Sequence, residues 1–388
     1  MRKENNMTVT VAVDSFKGSL STFESAKAVS EGVKRVFPDA NVVCCPLADG
    51  GEGTVDAVTY GGGGEKVSVL VTGPLGEKVL AEYGIISSSG TAVIEMSAAA
   101  GITLVPDEKR NPLNTTTYGV GEIILDAIEK GCRKFIVGIG GSATNDGGTG
   151  MLSALGFEFL DKDGNKVKNA GIGLCDIREI KLDGANKYLS ECSFNIACDV
   201  KNPLCGENGC SAVYGPQKGA TPEMVKDMDA WLKDFARLTK EKIPSADENY
   251  PGCGAAGGLG FAFMAYLGGR LTSGVELVMA ETGLEEKVKE SELVITGEGR
   301  LDGQTAMGKA PIGVAKLAKK YGKTVIAFSG AVTEDAKKCN EHGIDAFFTI
   351  LRSVCSLEEA MNVENAYKNM ADTTEQVMRL YKASGKTL

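Results

Sequence analysis

Residues 294–311 combine residue types that suit the binding of phosphate. They read VITGEGRLDGQTAMGKAP, an apolar β-type run followed by glycines, carboxylates, one arginine and one lysine. Glycines allow backbone N–H groups to approach an anion closely, and Arg300 and Lys309 supply positive charge. Glu298 and Asp302 could hold Mg²⁺ against the phosphates, because magnesium prefers carboxylate oxygens. The segment therefore predicts a site for a phosphorylated ligand.

Four other loops have a similar make-up. They are DSFKGSLS at 14–21, LADGGEGT at 47–54, GIGGSATNDGG at 138–148 and ACDVKNPL at 197–204. Their candidate polar side chains are Asp14, Ser15, Lys17, Asp49, Glu52, Ser142, Asn145, Asp146 and Asp199, with Gly50, Gly51 and Gly141 beside them. Each loop alone could be a polar turn or a helix start. All five, however, lie at predicted strand ends, where open α/β sheets bind their ligands.

Known nucleotide motifs match these loops only in part. Residues 303–309 fit the pattern G-x-x-x-x-G-K, but Ala310 replaces the Ser or Thr of a P-loop and the predicted strand ends well upstream. Residues 138–143 and 252–257 imitate the dinucleotide fingerprint, although no long helix follows the first and no strand precedes the second. We interpret Lys309 as an anion clamp or a solvated lysine, and the second glycine group as packing glycines.

Composition excludes several classes of function. The chain has 388 residues, enough for two domains, and its net charge of −9 leaves no basic field for nucleic acid or an anionic membrane. Its single histidine, His342, lies in a predicted surface turn, so histidine-dependent hydrolases and His-ligated metal sites lose their commonest component. Chemistry based on Asp, Glu, Lys, Arg and backbone dipoles suits phosphoryl transfer, which depends on positioning and charge neutralisation.

The sequence carries no pattern of export or membrane insertion. No run of about 18 apolar residues occurs, and the N-terminal residues lack the apolar segment of a signal peptide. The 11 cysteines are scattered without a C-x-x-C pair, which is typical of reduced thiols and argues against structural zinc. We therefore expect a cytoplasmic protein that acts on a small molecule.

The order of the predicted elements indicates an α/β fold with two domains. Strand, loop and helix alternate near the N-terminus, where Ser21-x-x-Glu24 forms a capping box, and again from Leu293 onwards. In this last part we predict a strand that ends at Gly297 and a C-terminal helix over 357–383. Between these parts, short strands follow one another through tight turns, as in antiparallel meanders. We predict a doubly wound, mostly parallel sheet domain from residues 1–66 and 284–388. A second α/β domain, with a mixed or antiparallel sheet, is inserted at residues 67–283.

These loops together resemble those of the bacterial class I glycerate kinase family. The resemblance covers nearly the whole chain and includes VAVDSFKGSLS, PLADGGEGTVDA, IGGSATNDGGTGMLSALG, ACDVKNPLCGENGCSAVYGPQKGATPEM and VITGEGRLDGQTAMGKAPIGVA. It implies two α/β domains, one inserted into the other. It also implies the phosphorylation of glycerate by ATP with Mg²⁺, with 2-phosphoglycerate as the product.

Within this resemblance we assign the roles of individual residues from their chemistry. Lys17 and Arg300 would neutralise phosphate and carboxylate charge, next to Asp14 in the predicted catalytic group. Asp199 would be the base for the attacking hydroxyl, with Asp146 as the alternative, and Asp49 and Glu298 would hold Mg²⁺. The predicted nucleotide-binding residues are Gly297, Glu298, Gly299, Asp302, Gly303, Gly308 and Lys309. The predicted substrate-binding residues are Ser15, Asp49, Gly50, Gly51, Glu52, Gly141, Ser142, Asn145 and Asp146.

Two other functions stay open from the sequence. A NAD-dependent hydroxy-acid dehydrogenase would use the fingerprint at 138–143, although the chain offers no suitably placed histidine as a proton donor. A non-catalytic sensor of small acids or nucleotides would need only the loops. The 2- or 3-hydroxyl specificity, the stereochemical preference and the oligomeric state also stay open.

Overall fold

The computed structural model describes residues 7–48, 50–51 and 53–385, which form two compact units. Within these ranges, unit 1 comprises residues 7–48, 60–62 and 275–385, and unit 2 comprises residues 50–51, 53–59 and 63–274. Each unit is built around its own β-sheet. No helix within the described ranges is both long enough and apolar enough to cross a membrane.

Strands and helices alternate along much of the chain. The strands are β1 (Thr8–Val13), β2 (Asn41–Cys44), β3 (Glu65–Thr72), β4 (Lys78–Ile86), β5 (Thr91–Glu95), β6 (Lys134–Gly138), β7 (Glu158–Leu160), β8 (Glu179–Lys181), β9 (Ser193–Ala197), β10 (Arg270–Thr272), β11 (Leu293–Leu301), β12 (Thr324–Val332) and β13 (Ala346–Thr349). The helices are α1 (Thr22–Lys34), α2 (Thr54–Gly61), α3 (Ser97–Ala100), α4 (Tyr118–Glu129), α5 (Thr149–Ala154), α6 (Cys210–Tyr214), α7 (Pro222–Lys242), α8 (Ala255–Leu267), α9 (Gly274–Glu281), α10 (Leu284–Lys289), α11 (Gly303–Ala306), α12 (Ala310–Lys320), α13 (Lys338–Glu341), α14 (Leu357–Met361) and α15 (Val363–Ala383). Short 3₁₀ turns include Pro216–Lys218.

The sheet of unit 1 is entirely parallel. Its strand order is β13-β12-β11-β1-β2. The sequence TVTVAV of β1 is rich in β-branched residues and is buried from Val9 to Val13, as expected for a strand covered on both faces. Helices α1 and α15 share a core with β1 and β11, whereas α12 packs on β1, β11 and β12 outside that core. The predicted doubly wound, parallel architecture is confirmed.

Helix α1 begins at the capping box that the sequence predicts. The Ser21 N–H donates to Glu24 Oε2 (2.8 Å), and the Glu24 N–H donates to Ser21 Oγ (3.2 Å). The hydrogen bond from the Ser21 hydroxyl lowers the pKa of the Glu24 carboxyl. Because the segment 14–21 leads into this helix, the cap also fixes the downstream end of that loop.

The sheet of unit 2 is mixed, in agreement with the prediction. Its order is β10-β9-β6-β5-β4-β3, in which β10, β9, β6 and β5 are parallel neighbours and β5, β4 and β3 form an antiparallel meander. Strands β7 and β8 make a separate antiparallel pair. Phe135 and Phe194 stack at 4.8 Å between ring centroids, and Phe263 packs against Phe194 in the same core.

Two elements differ from their predicted bounds. Strand β11 continues to Leu301, where a strand end at Gly297 is predicted, because β12 stays paired with it as far as Leu301 opposite Val332. The helix predicted over 357–383 is divided into α14 and α15 at Asn362. The Asn362 side chain accepts the Asn365 N–H (3.1 Å) and so begins a new helix.

The grouping of residues 50–66 also differs from the predicted domain bounds. The sequence places this segment with the doubly wound domain, whereas residues 50–51, 53–59 and 63–66 group with unit 2 in the structure. Gly50 shows why, because a Cβ built on it would lie 2.6 Å from the Cβ of Ala197. The domain prediction concerns parts of the chain that fold independently, and it stays a prediction.

Candidate functional site

The carboxyl end of the unit 1 sheet brings two of the predicted loops together. Val13 lies opposite Gly297 in neighbouring parallel strands, and the Asp14 N–H donates to the Gly297 carbonyl oxygen (2.9 Å). A Cβ built on Gly299 would be 3.4 Å from the Cα of Phe16. The DSFKG loop and the end of β11 therefore form one continuous edge, which is where open parallel sheets bind ligands.

The DSFKG loop presents Lys17 at a tight turn. Gly18 has a φ of +78°, a conformation that residues with a Cβ rarely adopt. Asp14 is 8% exposed, and its Oδ1 accepts the Ser15 N–H (2.6 Å). Lys17 is exposed and Ser15 is half-buried. The geometry thus agrees with a ligand-contacting role for Lys17 and gives Asp14 a part in shaping the turn.

The GEGR segment is a strand, which corrects its prediction as a loop. Gly297 pairs with Phe328 of β12, and a Cβ built on Gly297 would lie 2.3 Å from the Phe328 carbonyl oxygen. The packing of adjacent strands is therefore sufficient to require glycine at this position. A Cβ built on Gly299 has its nearest neighbouring atom at 3.4 Å, so this position has more space for a side chain. Gly299 is the better placed of the two glycines for a ligand contact.

This difference predicts different effects of the two alanine substitutions. Gly297→Ala should lower the free energy of unfolding by about 1–3 kcal/mol, because the new Cβ overpacks the sheet. Gly299→Ala is the matched control, and we expect its stability to stay within about 0.5 kcal/mol of the parent chain. Urea unfolding of both variants measures this difference. Equal losses of stability would contradict the assignment of Gly297 to strand packing.

Glu298 and Asp302 converge on Thr305. The Thr305 hydroxyl donates to Glu298 Oε1 (2.5 Å), while Asp302 Oδ1 accepts the N–H groups of Gln304 (2.9 Å) and Thr305 (3.1 Å). Asp302 is therefore the N-cap of α11, a structural role in addition to the predicted nucleotide contact. The exposed Arg300 places its Nε 3.6 Å from Asp302 Oδ2. Within the described ranges, no group of three or more His, Cys, Asp or Glu side chains could hold a metal.

The sequence predicts that the segment 303–309 is not a P-loop, and the structure agrees. Strand β11 ends at Leu301, and Gly303 already begins the short helix α11. Gly308 has a φ of +119°, and the exposed Lys309 occupies the N-cap position of α12. Lys309 stays a predicted phosphate contact.

The carboxyl end of the unit 2 sheet brings a second set of loops together. A Cβ built on Gly138 would lie 2.3 Å from the Gly50 carbonyl oxygen, and one built on Gly140 would lie 3.3 Å from the Cα of Gly51. Gly50 in turn packs against Ala197 at the end of β9. Gly50 and Gly51 therefore lie directly against the ends of β6 and β9.

Asp199 lies at the same edge, after β9. Its side chain is exposed, and its Oδ1 accepts the N–H of Gly274 (3.1 Å), which follows β10. An exposed carboxylate in this position could reach the hydroxyl of a ligand, so its role as a base stays a prediction. Asp49 and Glu52, also predicted for this region, lie outside the described residues.

Asp146 is wholly buried within the SATND loop. Its carboxylate accepts the Thr117 N–H and hydroxyl (both 2.8 Å) and the N–H groups of Gly148 (3.0 Å) and Gly150 (3.3 Å). Burial raises the pKa of the Asp146 carboxyl, and the hydrogen bonds from Thr117 oppose that rise. These contacts favour a role in shaping the loop over direct contact with a substrate.

Left-handed glycines of α8 hold the same loop. Gly257 has a φ of +66°, and a Cβ built on it would be 2.1 Å from the Thr144 carbonyl oxygen. The Gly147 N–H donates to the Gly257 carbonyl oxygen (2.9 Å). The glycines at 252–257 thus serve close backbone packing, which is the interpretation that the sequence favours.

Lys218 is a functional candidate that the sequence does not indicate. The residue is only 2% exposed, and its Nζ donates to Ser142 Oγ (2.8 Å) and to the Thr144 carbonyl oxygen (2.6 Å). Burial lowers the pKa of the Lys218 ammonium to about 8. In the same loop, Asn145 donates from Nδ2 to Ser211 Oγ (3.0 Å). One lysine among 42 basic residues gives no local signal of such an environment.

Comparison with known proteins identifies the chain as a member of a family of kinases. The profile of the glycerate kinase family matches residues 9–382, so the chain belongs to this family. It is 48% identical to the glycerate 2-kinase of Escherichia coli K12, over 96% of this chain and 99% of that protein. It is 46% identical to the glycerate kinase of Halalkalibacterium halodurans, over 94% and 97%. A crystal structure of a protein described as glycerate kinase 2 from Salmonella typhimurium LT2 superposes with a TM-score of 0.91 at 45% identity, covering 99% of this chain and 100% of that one.

Proposed function

We propose that this protein is an ATP-dependent glycerate kinase that transfers the γ-phosphoryl group to the 2-hydroxyl of glycerate. Membership of the glycerate kinase family and the name of the Escherichia coli relative, glycerate 2-kinase, support the reaction. The observation that best supports nucleotide binding is the pairing of Val13 with Gly297. This pairing places the DSFKG loop next to the GEGR segment at one edge of the unit 1 sheet. Two cationic side chains, Lys17 and Arg300, are exposed along that edge.

Residues of unit 1 would bind the triphosphate. Lys17 and Arg300 would neutralise the oxygens of the transferring group, and backbone N–H groups near Gly299 would add hydrogen bonds. These groups stabilise charge that develops in the transition state. Their loss should therefore lower kcat by a larger factor than it lowers the affinity for the substrates.

The side chains at this edge fit a magnesium ion that is shared with phosphate. Glu298 offers a hard carboxylate ligand beside the Thr305 hydroxyl, and Mg²⁺ needs only one or two carboxylates because water and phosphate oxygens complete its shell. Bound magnesium would neutralise charge on the β- and γ-phosphates.

Residues of unit 2 would bind glycerate and activate its hydroxyl. Asp199, exposed after β9, would accept the proton of the attacking hydroxyl. Ser142 lies in the loop after β6 and would contact glycerate, while the wholly buried Asn145 and Asp146 hold that loop in shape. Gly50, Gly51 and Gly141 lie at the same edge and would supply backbone donors.

A coupled assay of ADP release with glycerate, followed by ³¹P NMR of the product, tests this function. We expect ADP release that requires both glycerate and Mg²⁺, and a phosphorus resonance coupled to the proton on C2. A resonance coupled to the C3 protons would overturn the 2-hydroxyl specificity alone. Glycerate binding without ADP release would support the sensor, and glycerate-dependent reduction of NAD would support the dehydrogenase.

A further inference from the structure

Lys218 is a buried cation that makes no ion pair with a carboxylate of the described residues. Its two hydrogen-bond acceptors, Ser142 Oγ at 2.8 Å and the Thr144 carbonyl oxygen at 2.6 Å, are both neutral. A buried ammonium is costly unless opposite charge compensates it, and it has three donors to satisfy. Such a group is well suited to the binding of a small anion.

The buried carboxylate of Asp146 already accepts other hydrogen bonds. Asp146 attracts Lys218 electrostatically. Its oxygens, however, accept hydrogen bonds from Thr117, Gly148 and Gly150 and lie beyond ion-pair range of the ammonium. The positive charge of Lys218 is therefore available to whatever binds at Ser142.

The Ser142 hydroxyl is polarised by the Lys218 ammonium. Because its oxygen accepts a hydrogen bond from the Lys218 ammonium, its own proton must be donated to another acceptor. Ser142 is 8% exposed, and it follows the exposed Gly141 at the end of β6. A hydroxyl that is polarised by an ammonium is a strong donor to an anionic oxygen.

Two more polar side chains of this loop are incompletely satisfied. Thr144 Oγ1 and Asn145 Oδ1 are buried without a hydrogen-bond partner among the described residues. Buried polar atoms of this kind are rare, and each one calls for an explanation. Thr144 and Asn145 are themselves wholly buried, so this unsatisfied polarity lies within the loop.

We propose that Ser142 binds the carboxylate of the acid substrate, and that Lys218 acts through Ser142 as a positioning residue that supplies the charge. The proposal rests on the function proposed above, in which glycerate is the acceptor. A single positive charge matches the single negative charge of a hydroxy acid. A phosphate group, with higher charge and more acceptor oxygens, would need further cationic donors.

Steady-state kinetics of Ser142→Ala, Lys218→Met and Lys218→Arg test the proposal. We expect Ser142→Ala and Lys218→Met to raise KM for glycerate by about 10- to 100-fold, with KM for ATP nearly unchanged, because a hydrogen bond to a charged group is lost. Lys218→Arg should rescue poorly, since the wider guanidinium does not fit the same two acceptors. Lys233→Met, at an exposed lysine of α7, is the matched control and should change neither KM.

The pH dependence of KM separates a charge effect from a structural one. The ammonium of Lys218 loses its proton as the pH rises past its pKa of about 8, while the substrate carboxylate stays ionised. KM for glycerate should therefore rise above about pH 8 in the parent enzyme, since a tenfold loss of the charged form follows each unit of pH. In Lys218→Met this rise should be absent. A merely structural lysine would give parallel profiles.

Glyceramide, the uncharged amide of glycerate, provides the final comparison. The parent enzyme should prefer glycerate strongly, and Ser142→Ala and Lys218→Met should lose most of that preference. Increases in KM for ATP and not for glycerate would overturn the proposal in favour of a phosphate subsite, as would an unchanged preference for glycerate over glyceramide.

Two checks keep the result independent of folding and of the proposed reaction. If Lys218→Met does not fold by circular dichroism, Ser142→Ala with the glycerate and glyceramide pair decides the question. If the parent protein does not phosphorylate glycerate, the proposed function fails. Calorimetric titration of glycerate and glyceramide into the parent chain and Ser142→Ala then decides the subsite. Equal affinities for both ligands would overturn it, and a preference for glycerate that Ser142→Ala abolishes would support it.

Discussion

Lys17→Ala should lower kcat by about a hundredfold or more while the protein stays folded. Lys17 is exposed at the turn that Gly18 makes possible, so its removal leaves no cavity in the core. In phosphoryl transfer, however, a cation close to the transferring group stabilises charge that is largest in the transition state. A hundredfold loss corresponds to about 2.7 kcal/mol of that stabilisation.

Steady-state kinetics together with thermal unfolding measures the effect of Lys17→Ala. Lys27→Ala, at an exposed position of α1 in the same unit, is the control and should retain full activity. Lys17→Arg should restore little, because the guanidinium is wider than an ammonium and distributes its charge differently. If Lys17→Ala turns over at nearly the parent rate, the DSFKG loop has only a structural role.

Local patterns predict most of the architecture. The capping box at Ser21 and Glu24 gives the start of α1, and the β-branched sequence of β1 predicts a strand covered on both faces. The alternation at both chain ends predicts one doubly wound sheet, in which β1 and β11 meet although 284 residues separate Val9 from its partner Leu293. Residue periodicity and the order of strands and helices are therefore sufficient to predict the fold class.

The end of β11 shows why the sequence misplaces a boundary. Glycines in GEGR favour a loop by local propensity, since glycine weakens a strand. The structure keeps this segment in the sheet because β12 pairs with it up to Leu301. At Gly297 the neighbouring strand itself excludes a side chain. Tertiary pairing therefore overrides the local preference, and a sequence without its partners cannot show this.

The chemistry of buried groups is also set by distant partners. Lys218 meets Ser142 and Thr144 across 76 and 74 residues of sequence, and no pattern around YGPQKGA indicates that its ammonium is buried. Asp146 similarly takes two of its donors from Thr117, 29 residues away. The sequence predicts that the SATND loop carries polar chemistry. Only the structure shows that the whole SATND segment is buried, and that the Asp146 carboxylate accepts its hydrogen bonds from Thr117, Gly148 and Gly150.

Asp199→Asn should slow glycerate phosphorylation by about 10² or more and leave ATP affinity nearly unchanged. The asparagine keeps an oxygen that can accept the Gly274 N–H, so the connection between the ends of β9 and β10 should survive. The amide cannot take up the proton of the attacking hydroxyl, and general-base catalysis typically contributes 10²–10⁴ in rate. Measurement of kcat with calorimetry of ATP binding gives both quantities.

Two variants show whether the loss in Asp199→Asn comes from the base or from the loop. Asp234→Asn, at an exposed aspartate of α7, controls for the loss of one negative charge from unit 2 and should keep full activity. Asp146→Asn tests the alternative base: it places an NH₂ donor among groups that already donate to this carboxylate, so it should lower the unfolding temperature. Asp199→Asn should leave that temperature unchanged. An active Asp199→Asn enzyme beside a stable, inactive Asp146→Asn enzyme would move the role of base to Asp146, in spite of its burial.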